Sequence, residues 1–144
     1  MVIESSQRTG AAAAQAVQLV EQFLEASMIP DVVRARTFLA PDVKITFTGA
    51  RQFEDAAQIG AFNASRYRWV KKKFERTEAV EGDAHGDVTV YNSGTLFGEW
   101  PDGQVFSGNR YIDRFVVRDG KIRSMEVWND SAELLLARAG LAKA

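Results

Sequence analysis

Between residues 12 and 28, positions 16, 19, 20, 23 and 27 fall three or four apart. Ala16, Leu19, Val20, Phe23 and Ser27 therefore share one stripe, and the spacing predicts an amphipathic helix. Pro30 breaks it, and Asp31 supplies a cap for a second short helix burying Val32, Ala35, Phe38 and Leu39. Pro41 and Asp42 end that helix, because proline disfavours helical geometry in the residue before it. Val43, Ile45 and Phe47 then alternate with Lys44, Thr46 and Thr48, the pattern of a strand with one wet face. A third helix is predicted over 53–65, with Ala57, Ala61 and Phe62 on one face. From Tyr67 onward the pattern turns to strands, with arms near 69–80, 87–100, 104–117 and 121–128. Glu81-Gly82-Asp83 opens a longer loop, while Pro101-Asp102-Gly103 and Arg118-Asp119-Gly120 mark hairpins. Asp130 with Glu133 three residues on starts a last helix, which Gly140 ends.

Helices followed by a run of antiparallel strands make an α+β chain rather than an alternating α/β one. The 144 residues fit a single domain over 1–144, with 1–11 expected to be a flexible N-terminal segment. Nearly half the residues are apolar, enough for a core without staples, and the absence of cysteine excludes disulfides and thiolate chemistry. A net charge of −1 argues against duplex nucleic acid or an anionic membrane as a dominant partner. No apolar run reaches the roughly 18 residues of a membrane span. Residues 1–10 lack the apolar stretch of a secretory leader, so the expected location is cytoplasmic.

Three stretches carry a resemblance. They are Phe38-Leu39-Ala40-Pro41-Asp42-Val43, then Gly98-Glu99-Trp100-Pro101-Asp102-Gly103, and finally Tyr111-Ile112-Asp113-Arg114-Phe115 with Asp119-Gly120-Lys121-Ile122 and Val127-Trp128-Asn129-Asp130. Together they resemble the nuclear transport factor 2-like superfamily, in its SnoaL-like and ketosteroid-isomerase-like branch, over roughly residues 12–135. The resemblance implies a cystatin-like α+β fold: a cone-shaped antiparallel half-barrel wrapped on N-terminal helices, closed by a short C-terminal helix. It also implies an apolar pocket for an apolar or aromatic small molecule, and a homodimer through the outer sheet face. The activities it suggests are those of a cofactor-independent isomerase, dehydratase or polyketide cyclase; the alternatives are a non-catalytic binding module and a protein-interaction domain. Fold alone does not choose among them.

Asp113 is the sharpest candidate. It shares one strand face with Tyr111, Phe115 and Val117, where a carboxylate must be either solvated or inside a cavity. The resemblance puts it in the pocket, as a catalytic acid/base; the alternative is a solvated Asp113 paired with Arg110 or Arg123. The same resemblance aligns the family's phenolic donor with Phe23 and its general base with Phe47, neither of which moves a proton. Met125, Val127 and Asn129 are expected to point inward, Asn129 either to orient a ligand or to bond backbone ahead of the last helix. Phe23, Phe47, Phe62, Tyr67, Tyr111, Phe115, Met125 and Val127 complete the expected substrate-binding walls.

His85 is the single histidine and lies in a polar turn, so no metal site and no cofactor are expected. The basic run from Arg66 to Lys73 reads as a solvated rim, not as a nucleic-acid surface. If Asp102-Gly103 is a two-residue turn, Asn92 lies opposite Asp113, with Trp100 and Asn109 on the same face; one bulge reverses those facings. Trp128 and Phe106 are the aromatics expected on the outer face of a homodimer.

Overall fold

The computed structural model describes residues 2–82 and 86–143, with side chains described from Gly10 onward. Helix α1 (Val2–Met28) leads into α2 (Val32–Arg36), β1 (Leu39–Phe47), a 3₁₀ turn and β2 (Arg51–Phe53). Helix α3 (Ala56–Arg66) follows, then the long strands β3 (Trp69–Glu81), β4 (Val88–Glu99), β5 (Val105–Arg118) and β6 (Lys121–Asn129), and finally α4 (Ser131–Arg138). The strands form one open sheet in the order β2-β1-β6-β5-β4-β3. It is mixed: β1 runs parallel to β6, and every other pair is antiparallel. No helix among the described residues is long and apolar enough to cross a membrane.

The α1 stripe works as its spacing predicts. Ala16, Val20, Phe23 and Leu24 are buried against the sheet, where Ile45, Val90, Phe115 and Met125 meet them. The helix starts at Val2, ahead of the predicted residue 12, continuous with the alanines at 11–14, the residues with the highest helix propensity. Asp31 caps α2, its carboxylate accepting from the Arg34 N–H at 3.0 Å. That helix is only five residues long, and Leu39 and Ala40 belong to β1. Pro41 is tolerated in the strand because it sits in the irregular stretch where the β1–β6 register shifts, between Leu39 and Lys44. Phe53, expected to open α3, pairs with β1 instead as the last residue of β2, and the buried face of α3 is Ala56 and Ile59 and not Ala57 and Ala61.

The β4–β5 hairpin decides which polar groups enter the interior. Its loop is one residue longer than the two-residue turn: Trp100 N–H meets the Gln104 carbonyl at 2.9 Å, leaving Pro101, Asp102 and Gly103 in the loop. A bulge beside Gly108, at φ +86°, then restores the original register. Asn92 therefore does face Asp113 across the ladder, while Leu96 pairs with Asn109. Asn92, Trp100, Asn109 and Asp113 are all buried. The same bulge turns Phe106 inward, where its ring stacks on Trp100 at 4.2 Å; Phe106 is not the outward aromatic expected, whereas Trp128 is.

Candidate functional site

Strand alternation in β3 sets Val70, Lys72 and Phe74 toward the interior and Trp69, Lys71 and Lys73 toward solvent. Lys72 is thus threaded inward between two exposed lysines. Its ammonium lies 3.1 Å from Oδ2 of Asp113, and 4.7 Å from the centre of the Tyr111 ring. The Asp113 side chain has no exposed surface, and that of Lys72 is 18% exposed. The contact is an ion pair short of an aligned hydrogen bond, and among the described residues no other donor reaches either Asp113 oxygen. Burial pushes the Asp113 carboxyl above its usual range, and the Lys72 charge pulls partly in the opposite direction.

Beside this pair runs a line of hydrogen-bonded polar groups that ends on the Glu21 carboxylate. Tyr111 Oη donates to Asn92 Oδ1 at 2.5 Å, Asn92 Nδ2 donates to Thr77 Oγ1 at 2.9 Å, and Thr77 donates to Glu21 at 3.0 Å. Burial, with the nearby Asp113 and Glu75 charges, raises the Tyr111 phenol far above its ordinary value, so Tyr111 stays a donor. A second cluster docks α4: Tyr67 Oη and Asn109 Nδ2 reach Ser131 Oγ at 2.6 and 3.0 Å.

In front of Lys72 lies an inner chamber of about 50 Å³. Its apolar walls come from α1 (Leu24, Met28), β1 (Phe47), α3 (Ile59) and β6 (Met125, Val127), and Asn63, Tyr67, Lys72 and Asn129 supply polar groups. The chamber adjoins a vestibule of about 400 Å³ bounded by Ile29, Pro30, Arg68 and Trp69; Ser27, Met28, Asn63, Tyr67, Val70 and Lys71 line both. A small apolar space with a few convergent polar groups is the usual form of a ligand site.

Of the residues singled out in the sequence, Phe47, Tyr67, Met125, Val127 and Asn129 line the chamber. Asn129 also accepts from the Ser131 N–H at 3.1 Å, so it serves as the cap of α4 as well; Asp130 instead binds Arg110 at 2.7 Å. Phe62 packs on Phe47 at 5.5 Å, one layer out. Phe23 and Phe115 meet edge to face at 6.1 Å in the core. Tyr111 and Asp113 are not on the chamber wall, whereas Lys72, which meets Asp113, is. Asp113 is neither solvated nor paired with Arg110 or Arg123, the latter binding Asp42. His85 lies outside the described residues.

Lys72, Asn63 and Leu24 were not among the expected site residues. The signal for Lys72 is the alternation that begins at Val70, which turns the middle of three consecutive lysines away from the solvated rim.

Residues 20–125 match the family model of the SnoaL-like domain. Among solved structures, a nuclear transport factor 2-like protein from Burkholderia thailandensis is 26% identical, covers 86% of this chain and 95% of its own, and superposes with a TM-score of 0.66. A provisionally named SnoaL-like polyketide cyclase from Jannaschia sp. CCS1 is 22% identical over 87% of this chain and 92% of its own, with a TM-score of 0.70. TerC, crystallised with polyporic acid, is 15% identical over 84% of this chain and 95% of its own, with a TM-score of 0.67. No curated protein matches the sequence.

Proposed function

This chain belongs to the SnoaL-like domain family, within the nuclear transport factor 2-like superfamily, and from that premise we propose that it binds a small apolar or aromatic carbonyl or hydroxyl compound and polarises it. The observation that carries the reading is the Lys72–Asp113 pair: a cation on the chamber wall, held by a carboxylate that solvent does not reach. TerC, a protein of this fold co-crystallised with polyporic acid, supports the ligand class.

In this reading the group that touches the ligand is Lys72, and Asp113 is a positioning residue. Asp113 was the sequence candidate for acid/base catalysis, but Lys72, which meets it, lines the chamber and Asp113 does not. The Lys72 ammonium donates a hydrogen bond to the ligand oxygen and stabilises negative charge developing there. Isomerisation next to a carbonyl, loss of water from a β-hydroxy ketone and aldol-type ring closure all pass through such charge. Asp113 holds the cation in place in a site of low polarity, so little reorganisation is needed as charge develops. Asn129 and Asn63 supply neutral donors to fix the ligand's orientation.

A second reading, binding without catalysis, is favoured by Asp113 not reaching the chamber: no carboxylate base lines it among the described residues. The two separate in one experiment. Hydroxylated aromatic ketones are screened by thermal shift, and those that bind are followed by absorbance and mass spectrometry. An enzyme loses about a hundred- to thousandfold in turnover on Lys72→Met. A binding module shows altered affinity for the variant and no turnover in either form. Failure of every such compound to bind would sink both readings.

A further inference from the structure

The charge of the walls narrows the ligand further. Among the described residues, Arg68, Lys71 and Lys72 line the chamber and vestibule, and no carboxylate does. Two of these cations are engaged. Lys72 faces Asp113, and Arg68 donates to the Pro101 carbonyl at 3.3 Å and lies 3.7 Å from Glu99. Lys71 differs: it lies on the solvent face of β3, but β3 is the edge strand of the sheet, so Lys71 borders both spaces at that edge, and it makes no ion pair among the described residues. Beside it the vestibule offers Ile29, Pro30 and Trp69, with Ile29 and Trp69 exposed.

An unpaired cation at the rim of an apolar cleft, with a second, compensated cation at its inner end, describes two oxygen sites of different charge. The inner cation is held against the buried Asp113 carboxyl inside an apolar chamber, so it suits a carbonyl or hydroxyl. The outer site carries net positive charge and suits an anion. Building on the ligand-binding reading above, we infer that the ligand is an amphipathic organic acid. Its carboxylate rests on Lys71 at the vestibule, its apolar body lies along Trp69 and Ile29, and its carbonyl or hydroxyl end reaches Lys72. No bond is made or broken at Lys71; the contact selects and orients.

The test uses a hydroxynaphthoic acid, with its two groups at opposite ends of the ring system, and the methyl ester of the same compound. Affinities are measured by calorimetry on the full chain. The acid is expected to bind about two- to fivefold tighter than the ester, the range of a partly exposed charge pair. That preference should shrink with added salt. In Lys71→Gln the acid-to-ester ratio should fall to about one, and Lys71→Arg should keep it. Equal binding of acid and ester to the unaltered protein, or a preference that survives Lys71→Gln, would overturn this inference while leaving the ligand-binding reading intact. Binding of neither compound would overturn both.

Discussion

The ammonium of Lys72 and the carboxylate of Asp113 meet at 3.1 Å, with Asp113 wholly buried and Lys72 opening onto the chamber. Each residue explains the other. Burying Asp113 charged and alone would cost several kcal/mol, and a lysine directed into an apolar wall without a partner would turn back to solvent.

The pair predicts a pH signature. Burial raises the Asp113 pKa in the folded state, so folding favours the protonated acid. The contribution of this group is therefore fully present below about pH 4, the unfolded value, and is lost as pH rises through the folded pKa. Asp113→Asn does not titrate. The melting temperature of the variant, relative to the unaltered protein, should therefore rise as pH increases from about 4 toward neutrality. A difference that stays flat across that range would show that Asp113 titrates alike in both states.

Asp55 predicts the opposite limb. Arg36 grips it with two hydrogen bonds, at 2.8 and 2.6 Å, and holds its pKa at about 2. This stabilisation is present above about pH 4 and is lost as pH falls toward 2. Asp55→Asn should remove that part of the acid sensitivity in urea melts. The effect is small, because the pair is solvent-exposed and screened. An acid limb identical in the variant would contradict the assignment.

Gly94 tests how Lys72 is aimed. A methyl group there would sit 2.0 Å from the Lys73 carbonyl, a backbone atom that cannot step aside. Gly94 pairs with Phe74, beside the irregularity between Phe74 and Arg76. Gly94→Ala should therefore cost at least about 1–3 kcal/mol and weaken ligand binding by displacing β3. Unchanged stability in denaturant titration would show that β3 is not held this closely.

Most of the architecture was legible from local pattern. The α1 stripe, the alternation of β1 and β6 and the turns at 101–103 and 118–120 each rest on neighbours within a few residues. The unforeseen features depend on distant partners. Residues 51–53 become a strand only because β1 offers an edge, and Pro41 survives in β1 because the pairing with β6 slips there. The hairpin is instructive: its loop gains one residue and the bulge at Gly108 restores the register, so Asn92 still opposes Asp113, while Phe106, between loop and bulge, faces inward. Five expected wall residues line the chamber; the alternation from Val70 turns Lys72 inward, but its meeting with Asp113 depends on pairing between distant strands.

Association should follow from the outer sheet face. Ile112 and Trp128 are direct partners on β5 and β6, 42% and 49% exposed, and burying them between two copies would be favourable. We propose a homodimer through this face. Light scattering at micromolar concentration should give twice the chain mass, and Trp128→Glu should give the monomer. A monomer before substitution would remove the idea.

The most direct test of the central claim is a crystal structure with a hydroxylated aromatic ketone bound. The ligand oxygen is expected about 3 Å from the Lys72 ammonium, with Asp113 still against the far side of that ammonium and the ring system between Phe47 and Met125. A ligand that occupies the chamber with its oxygens turned away from Lys72, or that binds only on the outer sheet face, would contradict the account.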